Sequence, residues 1–341
     1  MARPFNPTGI YITSGLASCA YHCRYCQLVH LKPSTFGMDR FAAQVERFAD
    51  YREKHGLTEF DVSFWNGYSY DFSLADFEKE LALHRRVGAW ELKILLLGGL
   101  PHMEDVVLER WFAERKKLGS AFATATYTGC REAHDYWNNK KGNFDFLLNA
   151  QKIAAKAGLA NDQRILLTRS GLEQMPQLLD TLDALELELR GRNAYPFFYS
   201  GLARRYEEER VTMAMLDRQP ERVRAIYRDD KQHWKSERAW IEHARTAEGK
   251  YEAGPVTLVL SDSNIGQIES MSCEAILDDL TRRTRAAYDA LPGRSELAER
   301  YADPTNEKIY MFLWEMECLW MDRYLKEHPA VFERALTHFG R

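Results

Sequence analysis

Short apolar segments alternate with longer amphipathic segments through the first 200 residues of the chain. In the amphipathic segments apolar residues recur every three or four positions, as Phe41, Val45 and Phe48 do, and this period predicts helices. The short apolar segments have the length of strands. The predicted strands are residues 8–14, 60–65, 92–97, 121–128, 164–168 and 185–190, and the predicted helices between them include residues 38–55, 74–87, 143–157 and 172–184.

Strands that alternate regularly with helices favour the α/β fold class, with a parallel sheet and right-handed crossovers. Six such units predict a partial (β/α)6 TIM-like barrel over residues 1–200. In barrels of this type the side chains that carry chemistry gather at the carboxyl ends of the strands. The loops that follow the predicted strands are therefore where we expect a functional site.

The pattern changes after Tyr195, and residues 201–341 are predicted to form a mostly helical C-terminal extension containing a β-hairpin. Arg and Glu residues interleave closely over residues 202–243, which favours a solvated pair of helices over a nucleic-acid-binding surface. A turn at Ser263-Asn264 between two short segments predicts the hairpin. The hairpin strands are residues 256–260 and 267–270, and the last two helices are residues 273–291 and 306–327, separated at Pro292-Gly293.

The composition excludes several classes of protein. Of the 341 residues 45% are hydrophobic and 28% are charged, which is ordinary for a soluble globular protein. The formal net charge of −4 gives no overall attraction to nucleic acid or to anionic lipid. No apolar segment approaches the length of a membrane span. The first residues lack the apolar core of a signal peptide, so we expect the chain to work in the reducing cytoplasm.

The most specific chemical signal is a C-x₃-C-x₂-C segment formed by Cys19, Cys23 and Cys26. Three thiolates at this spacing can hold three irons of a cubane iron–sulfur cluster and leave the fourth iron without a protein ligand. An open metal position distinguishes catalytic from structural metal sites. The segment follows the first predicted strand, at the barrel end where chemistry is expected.

Two other uses of these cysteines are less consistent with the sequence. A zinc site usually takes four ligands from two paired motifs. No second C-x₂-C or H-x₃-H pair is present in the sequence, although His22 or His30 would be available as a fourth ligand. A disulfide framework is disfavoured because the chain is expected to stay in a reducing compartment.

The spacing of the three cysteines, with Tyr25 just before the last of them, resembles the signature of the radical S-adenosylmethionine (SAM) superfamily. In that family the open iron binds the amino and carboxylate groups of SAM, and an electron from the [4Fe–4S] cluster releases a 5′-deoxyadenosyl radical. Residues 128–135, 142–145 and 157–159 are similar to the fourth strand and following helix of the SPASM/twitch branch. The resemblance implies a [4Fe–4S] cluster, SAM and an electron donor such as flavodoxin or ferredoxin.

The chain also departs from that branch. Outside the motif only Cys130, Cys273 and Cys318 remain, too few and too dispersed for an auxiliary cluster. We therefore predict a single cluster and a SPASM/twitch-like scaffold without cluster ligands in residues 201–341. The Arg that usually follows the family's His-Asp pair is here Asn138. The usual Gly-Gly-Glu segment is replaced by residues 65–68, in which a tyrosine stands in place of the acid.

SAM binding is assigned by this resemblance and by position along the predicted strands. Tyr25 resembles the aromatic residue that flanks the adenine. The backbone carbonyls of the segment that replaces Gly-Gly-Glu remain available to the ammonium group of SAM. The carboxylate of SAM requires hydroxyls or a cation, which we expect near strands four and five. The candidate cofactor-binding residues are Tyr25, Asn66, Gly67, Tyr68, Thr126, Thr128 and Arg169, and the candidate metal ligands are Cys19, Cys23 and Cys26.

The substrate is left open between a peptide and a small molecule. A peptide-modifying maturase or epimerase is favoured by the SPASM-like segment, and an epimerase would use Cys130 or Cys273 as a hydrogen donor. The barrel is predicted to begin near residue 8, so we expect no leader-binding domain before it. A sugar, nucleoside or amino acid is the alternative substrate, and a cluster-bearing regulatory protein is a third hypothesis. Candidate walls of the cavity are Trp65, Tyr68, Tyr70, Tyr127 and Phe197.

Overall fold

The computed structural model describes residues 6–17, 19, 21–26, 33–67, 73–88, 94–246, 253–329 and 331. The barrel strands are β1 (Asn6–Ala17), β2 (Asp61–Gly67), β3 (Ile94–Leu96), β4 (Phe122–Tyr127), β5 (Ala160–Leu167) and β6 (Leu189–Pro196). The helices between them are α1 (Met38–Lys54), α2 (Leu74–Val87), α3 (Asp105–Lys117), α4 (Arg131–Asn138), α5 (Asn143–Lys156) and α6 (Met175–Asp183).

The remainder of the described chain consists of seven helices, several 3₁₀ turns and three further strands. The strands are β7 (Lys235–Ser236), β8 (Ala253–Leu260) and β9 (Ile309–Tyr310). The helices are α7 (Met213–Asp217), α8 (Glu221–Arg224), α9 (Glu237–Thr246), α10 (Ile265–Ser270), α11 (Cys273–Ala290), α12 (Arg294–Tyr301) and α13 (Leu313–Glu327), with 3₁₀ turns at Leu172–Gln174, Gly201–Glu209 and Asp229–His233.

The barrel strands form two parallel sheets. One sheet has the order β2-β1-β8 and the other the order β3-β4-β5-β6, and every neighbouring pair within them is parallel. Helices follow the first five barrel strands, as the alternating sequence pattern predicts. The predicted fold class, a partial TIM-like barrel with a mostly helical extension, is confirmed. The division at residue 200 stays a prediction, although β8, from the second region, pairs directly with β1.

Alternate side chains of the strands face the surrounding helices and are fully buried there. On β1, Ile10 and Ile12 are buried in a cluster that includes Phe41 and Phe48 of α1. Tyr11, between them, points the other way and is only half-buried. The helix-facing side of the barrel is therefore closed by apolar packing. The opposite side, which is the barrel interior, retains contact with solvent.

The predicted hairpin is wrong. Residues 256–260 do form a strand, β8, but it is the parallel neighbour of β1, and residues 267–270 lie in the helix α10. Ser261 and Asn264 explain the change of direction, because the Asn264 side chain accepts from the Ser261 N–H at 2.9 Å and donates to the Val259 carbonyl at 2.8 Å. These bonds end the strand and start a helix, so no return strand forms.

Three other predicted elements need correction. The sixth strand begins at Leu189 because Glu186, at φ 51°, ends the turn after α6. Residues 202–243 are not a solvated helical pair, since they form several short helices and 3₁₀ turns, and Val223, Tyr227 and Trp234 among them are buried against the barrel core. The last helix begins at Leu313, because the preceding residues form β9 against β7. In the part of the chain that is described, no helix is long and apolar enough to cross a membrane.

Candidate functional site

The loop that carries the three cysteines follows β1 and is fastened to the end of α4. The backbone N–H of Arg24 donates to the Trp137 carbonyl at 2.8 Å, and its guanidinium Nε donates to the Tyr136 carbonyl at 2.9 Å. Both carbonyls belong to the last turn of α4, and that of Tyr136 also accepts from the Asn139 N–H at 3.2 Å. On its other side the loop accepts a bond from the segment after β6, through Leu202 N and the Cys26 carbonyl at 2.8 Å. The loop thus lies where the carboxyl ends of β1, β4 and β6 meet.

The short turn after β4 brings α4 to this position. Gly129 has a φ of 117°, a backbone conformation that side chains with a Cβ rarely adopt. A Cβ at Gly129 would also lie 3.0 Å from the Gln174 side chain. The backbone N–H of Cys130, the residue before the helix, is fixed by the Gln174 amide oxygen at 2.9 Å. Because of this turn, α4 directs its C-terminal residues at the cysteine loop.

The three thiols lie close enough to influence each other's ionisation. Burial raises the pKa of Cys23 to about 12, with further contributions from the neighbouring Cys19 and Cys26. The pKa of Cys19 is raised by burial and by Cys26 as well. A bound metal cation would offset both the burial and the mutual repulsion of thiolates. Soft thiolates in this arrangement fit an iron–sulfur cluster by donor chemistry.

Within the described residues, however, no three potential ligands converge closely enough to form an assembled metal site. The assignment of Cys19, Cys23 and Cys26 to a metal therefore stays a prediction. The predicted adenine neighbour, Tyr25, is half-buried beside these thiols, and its pKa is raised by burial and by Cys23.

Asn138, the last residue of α4, connects the cysteine loop to β4. It is 1% exposed, and its amide oxygen accepts from the Tyr25 hydroxyl at 2.7 Å and from the Cys23 thiol at 3.6 Å. Its amide nitrogen donates to the His134 carbonyl at 2.9 Å and to the Thr128 hydroxyl at 3.4 Å. A single buried side chain thus links two predicted site residues, Tyr25 and Thr128, to a predicted metal ligand.

His134 supports this connection from inside the barrel wall. Its Nδ1 accepts from the Thr128 backbone N–H at 3.3 Å, so the ring proton belongs on Nε2. Nε2 lies 3.1 Å from the Asn143 side-chain nitrogen, while the Asn143 oxygen has no partner. Exchanging the Asn143 amide atoms satisfies both groups. His134 is then a neutral, fully hydrogen-bonded residue, and burial lowers its pKa to about 4.

The folded protein is expected to lose stability as the pH falls, because of His134. The pKa of His134 is about 4 in the folded chain against an ordinary value of 6.5, so the unfolded chain binds the proton first as pH falls. Neutral His134 contributes fully to the free energy of unfolding above about pH 6.5. This contribution, about 3 kcal/mol at most, is lost as the pH falls toward 4. Urea unfolding across this range should show a shallower dependence on pH for His134→Gln than for the native chain. Equal slopes would contradict the assignment.

Polar side chains line the barrel interior. On β4 the Tyr127 hydroxyl donates to Gln151 of α5 at 2.8 Å, which directs the alternate residues Thr124 and Thr126 into the barrel. Asp162 of β5 faces the same way, and its carboxylate accepts from Thr124. Tyr127 is therefore packed against helices, and its predicted role as a wall of the cavity is wrong.

Asp162 and Arg164 were not among the predicted site residues. The Arg164 Nε lies 3.3 Å from the Asp162 carboxylate, and the Arg164 side chain is 37% exposed although it points into the barrel. Thr126, its neighbour on β4, is half-buried. The sequence carried a signal for this pair, because charged residues two positions apart in a strand share one face. Arg164 gives the interior an accessible cation.

The remaining SAM-binding candidates are scattered. The Asn66 side chain points toward Met38 of α1, and its carbonyl accepts from Ser14 at 3.5 Å. Gly67 ends β2, paired with Ala17. The Arg169 side chain is exposed, and its backbone N–H donates to the Glu209 carbonyl at 2.8 Å. Tyr68 and Tyr70 lie outside the described residues.

The two candidate hydrogen donors occupy different parts of the fold. Cys130 is half-buried at the start of α4 and packs against the same core cluster as Tyr25. Its thiol pKa is raised by burial. Cys273 is buried at the start of α11, where Arg47 of α1 donates to its sulfur at 3.4 Å. Cys130 thus lies between β4 and α4 and contacts Gln174, whereas Cys273 lies between two outer helices.

Comparison with protein-family models and with curated proteins finds no match. Among solved structures the chain is similar to anSMEcpe with AdoMet and the Cp18Cys peptide bound (11% identity, 96% of this chain and 99% of that chain, TM-score 0.47). It is similar to coproporphyrinogen III oxidase HemN from Escherichia coli, a radical SAM enzyme (12% identity, 94% of this chain and 90% of that chain, TM-score 0.43). It also resembles SuiB from Streptococcus suis (13%, 56% of this chain, TM-score 0.34), of whose length it spans 40%.

Proposed function

We propose that the protein is a radical SAM enzyme with a single [4Fe–4S] cluster held by Cys19, Cys23 and Cys26. The observation that carries the proposal is the position of three mutually interacting thiols in a loop at the carboxyl ends of β1, β4 and β6. Barrels place their chemistry at that end. A three-thiol set leaves one iron open for SAM.

The residues around the loop suit the parts of SAM. When bound, the cluster and SAM together supply a 5′-deoxyadenosyl radical that removes a hydrogen atom from the substrate. Arg164 and the Thr126 hydroxyl offer the barrel interior a cation and a hydroxyl of the kind a carboxylate requires. Tyr25 offers an aromatic face beside the thiols. The helix-facing packing keeps water out from behind the site, which protects a reactive intermediate.

We propose a peptide as the substrate, in a maturase or epimerase reaction. The support is the similarity of residues 128–135, 142–145 and 157–159 to the SPASM/twitch branch. Cys130 is the better placed of the two proposed hydrogen donors, because it stands between β4 and α4. A sugar, nucleoside or amino acid is the second candidate, favoured by the lack of cysteines for auxiliary clusters. We place the protein in the cytoplasm, with flavodoxin or ferredoxin as the electron donor.

The test of the proposal is SAM cleavage. Protein reconstituted with iron and sulfide without oxygen, then given SAM and a strong reductant, is expected to release 5′-deoxyadenosine. Chromatography of the products measures it, with protein kept oxidised as the control. An intact cluster that yields no 5′-deoxyadenosine would instead favour a regulatory protein that never cleaves SAM.

A further inference from the structure

The orientation of the Asn138 amide is fixed by its surroundings. Its nitrogen lies 2.9 Å from the His134 carbonyl oxygen, which accepts hydrogen bonds and cannot donate them. The amide NH₂ must therefore face His134, and the amide oxygen must face the cysteine loop. This assignment does not depend on the protonation of any group.

The amide oxygen of Asn138 accepts the hydroxyl proton of Tyr25, a residue of the cysteine loop. The Tyr25 hydroxyl is 2.7 Å from this oxygen, a short and strong hydrogen bond. The Cys23 sulfur lies 3.6 Å from the same oxygen, so the hydroxyl and the sulfur are neighbours on either side of it. A phenol has a single proton to donate. Its bond to Asn138 therefore competes with a bond to Cys23.

That competition matters for an iron–sulfur cluster. Hydrogen bonds donated to cluster sulfurs are among the features that set the reduction potential. Such a bond stabilises the more negative, reduced cluster and makes the cluster a weaker reductant.

We propose that Asn138 is a positioning residue that holds the Tyr25 hydroxyl proton away from Cys23 and so keeps the bound cluster strongly reducing. The proposal rests on the proposed function, since it concerns the cluster held by Cys19, Cys23 and Cys26. A strongly reducing cluster is what one-electron cleavage of a sulfonium requires. Asn138, which stands where the family usually has an arginine, would thus position the Tyr25 hydroxyl.

The test is a redox titration of reconstituted protein without SAM, followed by electron paramagnetic resonance. In Asn138→Leu the Tyr25 hydroxyl turns to the Cys23 sulfur. At a fixed solution potential the ratio of reduced to oxidised cluster should rise about tenfold, equivalent to about 59 mV for one electron. Adding Tyr25→Phe to Asn138→Leu removes the hydroxyl and should return the ratio to within about twofold of its native value. Tyr25→Phe alone should not raise it.

A buried asparagine elsewhere supplies the matched control. Asn161 is fully buried on β5 and donates to the Gln151 carbonyl at 3.3 Å, on the helix-facing side. Asn161→Leu makes the same change at another buried position and should leave the cluster ratio unchanged. If Asn138→Leu fails to fold, Asn138→Ser removes the same amide oxygen with a smaller side chain and should raise the ratio in the same direction.

The outcomes separate this proposal from the proposed function. An unchanged ratio in both Asn138 variants, or a raised ratio that Tyr25→Phe does not reverse, would overturn the role of Asn138 while leaving a functional cluster in place. Failure of the proposed function would appear earlier, as native protein that binds no iron and sulfide or yields no 5′-deoxyadenosine. Iron content measured for every variant distinguishes a shifted potential from a lost cluster.

Discussion

Replacing Cys19, Cys23 and Cys26 together with alanine is expected to remove essentially all iron, sulfide and brown visible absorbance from reconstituted protein. The three thiols are the only cysteines in the loop after β1, and no auxiliary set of cysteines exists in the sequence to hold a second cluster. Production of 5′-deoxyadenosine should fall to the level measured without protein. Metal analysis and absorbance spectroscopy of oxygen-free material measure both effects.

The matched control replaces the three other cysteines. Cys130, Cys273 and Cys318 lie at α4, α11 and α13, outside the cysteine loop. Changing them together to serine should leave about as much iron as in the native protein. Retention of most iron by the Cys19, Cys23 and Cys26 variant would show that a second cluster exists. Zinc in place of iron would overturn the proposed function altogether.

Removing the Glu315 carboxylate is expected to destabilise the whole fold, by about 3–5 kcal/mol, because it leaves several buried N–H donors without their acceptor and takes one of two carboxylates from a buried arginine. Glu315 of α13 is fully buried, and its carboxylate accepts from the backbone N–H of Tyr199 at 2.6 Å and of Met311 at 2.8 Å. Arg210, also fully buried, lies 3.5 Å from it. The segment after β6 and the helical extension are joined at this carboxylate.

Chemical denaturation of Glu315→Ala and of Glu327→Ala measures this effect. Glu327 is an exposed residue near the end of the same helix, so its loss should change the free energy of unfolding by less than about 1 kcal/mol. Glu315→Gln keeps the shape and one acceptor oxygen and should fall between the two. Equal unfolding free energies for the two alanine variants would show that the buried carboxylate does not hold the regions together.

Helices with a strong apolar period could be predicted closely from the sequence. Residues 74–87 were predicted, and α2 has those bounds, while the helix predicted over residues 38–55 is one residue shorter. In both, one face of the helix must bury its apolar residues against the sheet, so the local pattern carries the information. Ser73 adds a local signal, because its side chain caps α2 by accepting from Asp76 N.

The partner of β8 could not be predicted in this way. Residues 256–260 have a strand pattern, but the pairing of Val256 with Ile10 joins positions far apart in the chain. The sequence of a short apolar segment does not specify which strand pairs with it. A hairpin with the next segment along the chain was therefore predicted. The same limit applies to residues 202–243, whose aromatic residues are buried only because the barrel core lies next to them.

Some features of the candidate site could likewise be predicted from the local sequence, and others could not. The cysteine spacing is a local motif, and its place after the first strand followed from the pattern of elements. Asn138 and Arg164 acquire their importance from neighbours on other elements, since Asn138 meets Tyr25 across 113 positions of sequence. Such contacts arise only when the strands are assembled. The sequence indicated Asn138 only as a departure from the arginine that is usual at this position in the family.

The pairing of β8 with β1 has a consequence for synthesis of the chain on the ribosome. β1, which leads into the cysteine loop, is hydrogen-bonded on one side to β2 and on the other to a strand made some 250 residues later, from Asn6 opposite Ala253 to Ser14 opposite Leu260. Until that late segment emerges, β1 is an open edge, which invites pairing with other nascent chains. Chaperone protection of the unfinished polypeptide would accordingly be needed until most of its length has been translated.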